Sequence, residues 1–374
     1  MKELELKLQT QIDLIKLRFF CKIILKNIIF ITIVIGLLIV CSFNSYSQQS
    51  GGGYGASWLK RDFSARTLGL AGTFTAIADD PNAIYYNPAG LSDLSNEPSF
   101  FSSVGMLGLG RTNSTFAWGQ AIMDDRLGFG IALNNLYTGS FTARDVIGHS
   151  MGEYANHQYA IAASTSYKIA YSSFGITAKY LVENLEGAET IATGYSVDFG
   201  ALFNIFDILK VGVQVQNVSG FLFWNTAYSD MMNLPWILKV GVSYSTYTSA
   251  GSSDDISTAD PTRKEHYDYY DNILRLGLDF IYSQYSVAPQ VLLGAEYEAH
   301  RYLTFRGGIG IYGDVWGKPK LFPMNVWGAG LSIYPDIDVI NDIVPFSYSI
   351  DYTISRELIN QSGINHSIGI NIRF

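Results

Sequence analysis

The sequence predicts an all-β protein, a 14-stranded antiparallel transmembrane β-barrel with an N-terminal hatch that plugs the lumen. Three observations lead to this fold class. From Pro98 onward, segments of about ten residues alternate apolar with small or polar side chains, which is the two-residue period of a strand. The pattern occurs fourteen times and continues to the last residue. A compact stretch rich in turn-forming residues precedes the first strand.

The predicted domains follow from the same pattern. Residues 1–47 are a signal peptide, residues 48–97 the hatch and residues 98–374 the barrel. The fourteen predicted strands begin near Ser99, Thr112, Leu127, Gln158, Ser173, Thr193, Lys210, Pro235, Asn272, Gln290, Leu303, Met324, Phe346 and Asn365.

The eighth segment shows the alternation clearly. One face carries Trp236, Leu238, Val240, Val242 and Tyr244, and the other carries Ile237, Lys239, Gly241, Ser243 and Ser245. A soluble sandwich with an apolar core would alternate in the same way. Glycine and serine on the second face, aromatic residues near strand ends and strands that reach the last residue favour a membrane barrel with a polar lumen.

Charged side chains fall on the predicted lumen face, because a lysine or arginine that faces lipid at mid-membrane costs about 2–4 kcal/mol. They are Lys168, Lys179, Lys239, Arg275, Arg306, Arg373, Glu183, Asp198, Asp279, Glu296, Glu298 and Asp351. The two signs balance, which argues against a strongly ion-selective pore. Arg275, Glu296 and Arg306 lie on three consecutive predicted strands, and we expect them to form one ion-paired network that holds a structure inside the barrel.

The first 47 residues have the pattern of an export signal. Lys22 and Lys26 precede the apolar run 28–40, and the small residues of 45–47 predict cleavage near Ser47. A retained anchor is one alternative, but the run is shorter than the roughly 20 residues that a spanning helix needs. A lipoprotein signal at Cys41 is the other, but a bulky valine precedes that cysteine.

Composition argues against several function classes. The formal net charge is −8, and an acidic surface does not favour nucleic acid as a partner. Both cysteines, Cys21 and Cys41, lie in the leader, so we expect no disulfide or thiol nucleophile in the mature chain. The five histidines are scattered without metal-ligand spacing, and no nucleophile motif accompanies them. We therefore expect no catalysis, no metal and no cofactor.

An even strand number places both barrel ends on the periplasmic side, with short inner turns and longer outer loops. Residues 139–157, 219–234 and 313–323 are predicted outer loops. The polar segment 248–271 is the exception, since the strand count places it on the periplasmic side. It is either a solvated insertion or a docking loop for a periplasmic partner.

The hatch contains two acidic or amide residues that each precede a proline, at Asp80-Pro81 and Asn87-Pro88. Such a residue caps a helix start, and proline suits the first helical position. We therefore predict two short capped turns, separated by residues 84–86, that keep the hatch rigid. The predicted gating residues are Asp79, Asp80, Pro81, Asn82, Asn87, Pro88, Ala89 and Gly90.

The stretch ARTLGLAGTFTAIADDPNAIYYNPAGLS, residues 65–92, resembles the hatch of FadL-type outer-membrane transporters and of the related PorV/PorQ proteins of Bacteroidetes. The C-terminal IGINIRF, which ends at Phe374, is similar to the signal that the barrel-assembly machinery recognises. The resemblance covers the hatch closely and the rest of the chain through its architecture.

The resemblance implies two functions on one fold. The first is passive transport of hydrophobic small molecules across the bacterial outer membrane, with a hatch that gates a path through the wall near the third strand. The alternative is a type IX secretion accessory barrel that binds or tethers exported proteins. The expected partners are outer-membrane lipid, a hydrophobic ligand, the barrel-assembly machinery and secretion-system proteins.

The third strand carries small and amide residues that suit a lateral opening: Gly128, Gly130, Asn134 and Asn135. Such residues permit a bulge or kink, and the plain alternative is that they are ordinary residues facing the lumen. A hydrophobic ligand would need an apolar lining. The sequence offers Phe101, Leu107 and Leu136 on the lumen side, and the aromatic residues 221, 223 and 224 in an outer loop.

Overall fold

The computed structural model describes residues 55–206, 208–226, 231–248, 272–284, 289–300, 302–312, 326–335, 346–356 and 363–374. The predicted signal peptide with its two cysteines lies outside these residues. So do residues 249–271 of the predicted periplasmic insertion and the predicted outer loop 313–323.

The described residues form fifteen strands in one antiparallel sheet. Their bounds are β1 Ser99–Met106, β2 Thr112–Ile122, β3 Leu127–Arg144, β4 Ser150–Ile169, β5 Ser172–Glu186, β6 Thr190–Phe206, β7 Leu209–Trp224, β8 Met231–Asn233, β9 Ile237–Thr248, β10 Asn272–Ser283, β11 Gln290–His300, β12 Leu303–Tyr312, β13 Val326–Ile333, β14 Ser347–Arg356 and β15 Asn365–Arg373.

The sheet closes on itself. β1 pairs with β15 from Ser99↔Arg373 to Met106↔His366, and consecutive strands pair around the rest of the wall. The short β8 pairs only with residues 221–223 of β7, while β9 pairs with residues 209–216 of the same strand. Fourteen strands, β1–β7 and β9–β15, therefore form a closed antiparallel barrel, and the predicted 14-stranded barrel is confirmed.

The two faces of the wall have opposite polarity. Apolar side chains such as Ile131, Phe305 and Ile368 are exposed on the outside, whereas Thr177 and Ser332 are fully buried on the inside. This distribution is the reverse of that in a soluble sandwich, because lipid solvates the outer face of a membrane barrel.

Two predicted outer loops are largely strand. Residues 139–157 belong to a long β3–β4 hairpin that turns only at residues 145–149, and the side chains of Phe141 and Tyr154 stack across it with ring centroids 6.1 Å apart. Phe221 and Phe223 lie on β7 and face outward. The loop predictions failed here because strand pairing continues past the wall formed by the shorter neighbours.

Residues 55–97, which we call the N-terminal segment, precede β1 and pack inside the barrel. The segment contains two 3₁₀ helices, η1 (Ser57–Lys60) and η2 (Pro88–Asp93), and two short α-helices, α1 (Ala65–Gly69) and α2 (Ala83–Tyr86). Most residues from 63 to 94 are buried. Among the described residues, no helix has the length and apolar character needed to cross a membrane.

Candidate functional site: the anchored N-terminal segment

Two side chains shape the turns of the motif at residues 79–90. The Oδ1 atom of Asp80 accepts a hydrogen bond from the backbone N–H of Asn82 at 2.8 Å. The Oδ1 atom of Asn87 accepts one from the N–H of Ala89 at 3.3 Å, with Pro88 at the first position of η2. Residues 84–86, predicted to separate two helical turns, are themselves helical and belong to α2. Asp80 caps the turn at Pro81 that precedes this helix, whereas Asn82, at the N-cap of α2, makes no side-chain cap bond.

Asn87 also joins the segment to the wall. Its Nδ2 atom donates to the carbonyl oxygens of Thr75, at 2.8 Å, and Ala201 on β6, at 3.1 Å. The Asn87 side chain is fully buried. A single side chain therefore caps η2, binds the preceding part of the segment and binds a strand.

Polar side chains from several strands bind the backbone of the segment. The Oγ1 atom of Thr353 on β14 donates to the carbonyl of Ala65 at 2.7 Å, and Ser103 on β1 accepts from the N–H of the same residue at 3.1 Å. On β10, the Oδ2 atom of Asp279 accepts from the N–H groups of Phe74 and Thr75, both at 2.9 Å.

The same kind of contact continues around the wall. Ser243 on β9 donates to the carbonyl of Ala76 at 3.1 Å, and Thr177 on β5 donates to that of Ile84 at 3.0 Å. Gln216 on β7 donates to the carbonyl of Tyr85 at 2.7 Å. Because short buried helices leave backbone groups unpaired, these wall side chains satisfy groups that would otherwise destabilise the segment.

An ion network ties the segment to strands β10–β12. The guanidinium of Arg66 binds both carboxylate oxygens of Glu296, with Nη2–Oε1 at 2.9 Å and Nε–Oε2 at 3.0 Å. Arg275 binds Glu296 at 2.7 Å, and Arg306 binds its other oxygen. The structure thus brings the three residues of the predicted network together and adds a fourth, Arg66. Burial of Glu296 is tolerated because three guanidinium groups surround it.

Arg66 also binds the acidic pair of the motif. Its Nη1 atom lies 2.6 Å from Asp79 Oδ1 and 2.8 Å from Asp80 Oδ2. Burial by itself would raise the pKa of Asp79, but the adjacent guanidinium of Arg66, with help from Arg275, holds that pKa below its ordinary value. Both carboxylates therefore have structural partners.

A second ion cluster holds the end of the segment. Asp93 in η2 binds Lys168 on β4 at 2.7 Å and Lys210 on β7 at 2.8 Å. Burial by itself would raise the pKa of Asp93, but the two lysines outweigh it and lower that pKa below its ordinary value. Asp93 thus connects two strands that are not neighbours in the sheet.

Arg66 and Asp93 were missing from the predicted site residues. Arg66 has a local counter-charge, Asp62, four residues earlier, so its sequence neighbourhood did not point to a strand partner. Asp93 has no lysine or arginine near it in the sequence, and that isolation was the available signal. Another contact between the segment and the wall is the hydrogen bond that the indole Nε1 atom of Trp58 donates to Glu183 Oε1 on β5, at 2.9 Å.

The kink predicted in the third strand is not found at Gly128, Gly130, Asn134 and Asn135. β3 pairs with both neighbours in unbroken register from Leu127 to Tyr137, and its irregularities lie between 137 and 140 and between 143 and 144. The two glycines face the segment, since a Cβ on Gly128 would lie 2.4 Å from the carbonyl carbon of Leu91. Asn134 donates to Asn113 and Thr115 on β2.

The apolar side chains predicted to line the lumen pack in one cluster with residues of the N-terminal segment. Phe101, Leu107 and Leu136 are all buried, and they belong to one core cluster with Trp58 and Phe63 of the segment. A small polar pocket lies beside the ion network, where Arg66, Asp79, Arg275, Glu298 and Arg373 contribute to its lining. In the part of the chain that the structure describes, no cluster of histidine, cysteine or acidic residues could hold a metal ion.

The C-terminal residue lies at the closing seam. The backbone N–H of Phe374 donates to the carbonyl of Pro98 at 3.2 Å. Its ring packs against Phe100 on β1 and Phe346 before β14, with centroids 5.7 and 5.3 Å away. Phe374 therefore joins the first and last strands of the barrel.

In fold, the chain is similar to solved outer-membrane transporters. It matches the toluene transporter TbuX of Ralstonia pickettii at 12% identity over 83% of this chain and 97% of that one, with a TM-score of 0.50. The toluene transporter TodX of Pseudomonas putida is 11% identical over 84% of this chain and 97% of that one, with a TM-score of 0.51. A FadL homologue of Pseudomonas aeruginosa is 10% identical over 86% of this chain and 99% of that one, with a TM-score of 0.50. At such identities the likeness shows the fold alone.

No curated protein matches the sequence. The sequence does match one family model, that of the type IX secretion system membrane protein PorP/SprF, over residues 34–259. This family differs from the PorV/PorQ proteins that the hatch motif resembles, although the resemblance also implied type IX secretion. A barrel of this fold in a secretion membrane family resides in the bacterial outer membrane. Because the family model covers more than half of the sequence, this chain belongs to the PorP/SprF family of type IX secretion system membrane proteins.

Proposed function

We propose that this protein is a sealed outer-membrane barrel of the type IX secretion machinery, which binds secretion components or exported proteins and does not conduct solutes. The observation that carries the proposal is the anchoring of residues 65–94 inside the lumen. Two ion clusters, centred on Glu296 and Asp93, and hydrogen bonds from several strands hold this stretch. Family membership supplies the cellular context.

The energetics favour a seal over a frequently opened gate. To leave the lumen, the segment would have to separate Arg66 from Glu296 and Asp93 from two lysines, and it would expose the aromatic residues of the shared core cluster. Breaking one buried ion pair by removing a partner costs about 3–5 kcal/mol. Thermal motion alone would rarely release several such contacts together. The proposal includes no catalysis and no cofactor.

Passive transport of hydrophobic small molecules is the second candidate. It is supported by the fold shared with the toluene transporters TbuX and TodX, and by buried apolar side chains of the wall such as Phe101 and Leu136. For this chain to transport, those side chains would first have to separate from Trp58 and Phe63. A PorV/PorQ-like role as a tether for exported proteins is a finer form of the first proposal and rests on the hatch motif.

Purification of the tagged full chain from native outer membranes tests both candidates. The lipid extract and the co-purifying proteins are identified by mass spectrometry after mild crosslinking. We expect type IX secretion components or exported proteins, and no small molecule at near-equal stoichiometry. A variant that lacks residues 252–268 of the predicted periplasmic insertion shows whether that insertion makes the contact.

Planar-bilayer conductance of the same preparation gives the second readout. We expect no steady conductance from the wild-type protein at neutral pH. The outer-membrane vesicles of a strain without the chain provide the background. A discrete hydrophobic molecule bound at near-equal stoichiometry, with no secretion protein present, would overturn the proposal in favour of transport.

A further inference from the structure

The N-terminal segment touches the wall through glycines in a regular order. Many strand glycines face the segment so closely that an added Cβ would clash with it, and six of them, at 1.8–3.2 Å, follow one another around the wall. The glycines are Gly369 on β15, Gly328 on β13, Gly308 on β12, Gly212 on β7, Gly175 on β5 and Gly128 on β3. In the same order, they meet Ala65, Leu68, Leu70, Thr75, Pro88 and Leu91. At these six positions the contacts pass around the barrel against the strand order as the segment runs forward, although Ile84 already meets Gly130 on β3 before Pro88 meets β5.

Most of these close approaches involve the backbone of the segment. A Cβ on Gly328 would lie 1.8 Å from the carbonyl oxygen of Leu68, and one on Gly308 would lie 2.2 Å from the carbonyl carbon of Leu70. A side chain can rotate away from such a clash, whereas a backbone held by several hydrogen bonds must move as a unit. The fit therefore depends on which strand residue faces the segment, and hence on strand register.

The segment also spans the seam at which the barrel closes. Ala65 donates to Ser103 on β1 and accepts from Thr353 on β14, and its side chain lies against Gly369 on the intervening β15. At the other end, Leu94 packs against Gly119 on β2 shortly before the chain enters β1. The contacts of the segment around the wall thus begin and end next to the β1–β15 pairing, with Ala65 at one end and Leu94 at the other.

We propose that residues 65–94 act as an internal template for barrel closure. The strands close in the native register around this stretch, because a shift by one residue would turn the lumen glycines outward and put larger side chains against the backbone of the segment. This inference goes beyond the proposed function, since a sealed barrel does not require that its seal take part in folding. On this proposal, residues 65–94 are needed for the strands to pair correctly and do not enter a barrel that has already closed.

Adjacent glycines on β12 provide a matched pair of variants. Gly308→Ala places a methyl group against the Leu70 backbone, whereas Gly307→Ala meets nothing within 4 Å. The full-length chain, these two variants and a chain that lacks residues 65–94 are refolded from urea into lipid vesicles. Closure is read as the heat-modifiable band in gel electrophoresis, and burial of the segment is read as protection from trypsin.

We expect the Gly308→Ala variant and the deletion to close with a yield, or at a rate, about tenfold or more below that of Gly307→Ala, which behaves as the wild type. Normal closure of either impaired variant overturns the proposal. Normal closure with a trypsin-sensitive segment identifies that segment as a removable plug. Equal loss in Gly307→Ala also overturns it, because the effect would then come from the strand alone. None of these outcomes depends on partner binding, so the proposed function is tested separately.

Discussion

Arg66 and Glu296 are separated by 230 residues in the sequence, yet they form a two-point ion pair with N–O distances of 2.9 and 3.0 Å. Arg66 lies on α1 inside the barrel, and Glu296 lies on β11 in its wall. A guanidinium presents two parallel N–H groups that match the two carboxylate oxygens, so the pair fixes the orientation of α1 as well as its position. Glu296 is the shared counter-charge of Arg66, Arg275 and Arg306.

Replacement of Glu296 by glutamine should loosen the segment strongly. The change leaves the guanidinium groups of Arg66, Arg275 and Arg306 without their shared counter-charge, and the loss of one partner in a buried ion pair costs about 3–5 kcal/mol. We expect trypsin to cleave the N-terminal segment of Glu296→Gln barrels that are otherwise heat-modifiable. Glu153→Gln, on the exposed β3–β4 hairpin, is the control and should stay protected. Equal protection of both variants would show that the network does not hold the segment.

The Asp93 cluster predicts a pH dependence. Because the folded-state pKa of Asp93 lies below its ordinary value of 3.8, the cluster stabilises the folded state fully above that value, and this contribution is lost as the pH falls through the lowered pKa. Hydrogen–deuterium exchange of peptides from residues 88–97, corrected for intrinsic rates, measures the effect. The difference in protection between wild type and Asp93→Asn should be constant from pH 7 to about pH 4 and disappear below. A difference that already declines between pH 7 and pH 5 would contradict this assignment.

The two roles of Asn87 can be separated by substitution. Asn87→Ser keeps an oxygen that can cap η2, with a cap being worth about 1 kcal/mol. Serine cannot reach the carbonyls of Thr75 and Ala201, and each buried carbonyl left without a donor costs about 1–3 kcal/mol. We therefore expect Asn87→Ser to loosen the segment nearly as much as Asn87→Ala, and the Asn87→Ala/Pro88→Ala double variant to loosen it most.

Uptake of a bulky antibiotic by cells carrying these variants measures the loosening. Sensitivity should rise in the order wild type, Asn87→Ser, Asn87→Ala and the double variant. Asn225→Ala, at an exposed position, provides the control. Unchanged permeability in the double variant would count against a role of the motif in closing the lumen.

Deletion of Phe374 should impair assembly. The residue contributes a backbone bond to Pro98 and ring contacts to Phe100 and Phe346 at the closing seam, and the terminal motif resembles an assembly signal. Phe374→Tyr keeps the ring and should assemble normally, whereas the deletion should give little heat-modifiable protein in outer-membrane fractions. A normal amount of folded barrel without Phe374 would refute the prediction.

Local sequence patterns predicted most strands of the barrel wall. Seven predicted strand starts coincide with those in the structure: Ser99, Thr112, Leu127, Asn272, Gln290, Leu303 and Asn365. They could be predicted because turn residues and the two-residue period act over a few neighbouring positions. The prediction was poorest where strands run beyond their neighbours. There β4 begins at Ser150, eight residues before the predicted Gln158, because its first residues are exposed without the alternation that marks the rest of the strand.

The sequence by itself determined the antiparallel barrel, the inward face of the strands that alternate clearly and the capped turns at Asp80 and Asn87, since each depends on residues close together in the chain. Only the tertiary structure decided that Arg66 meets Glu296, that Asp93 meets two lysines and that Gly128 accommodates the backbone of Leu91. These contacts join residues far apart in the chain. They depend on how one segment lies within a closed wall, and the two-residue period of the strands carries no information about that arrangement.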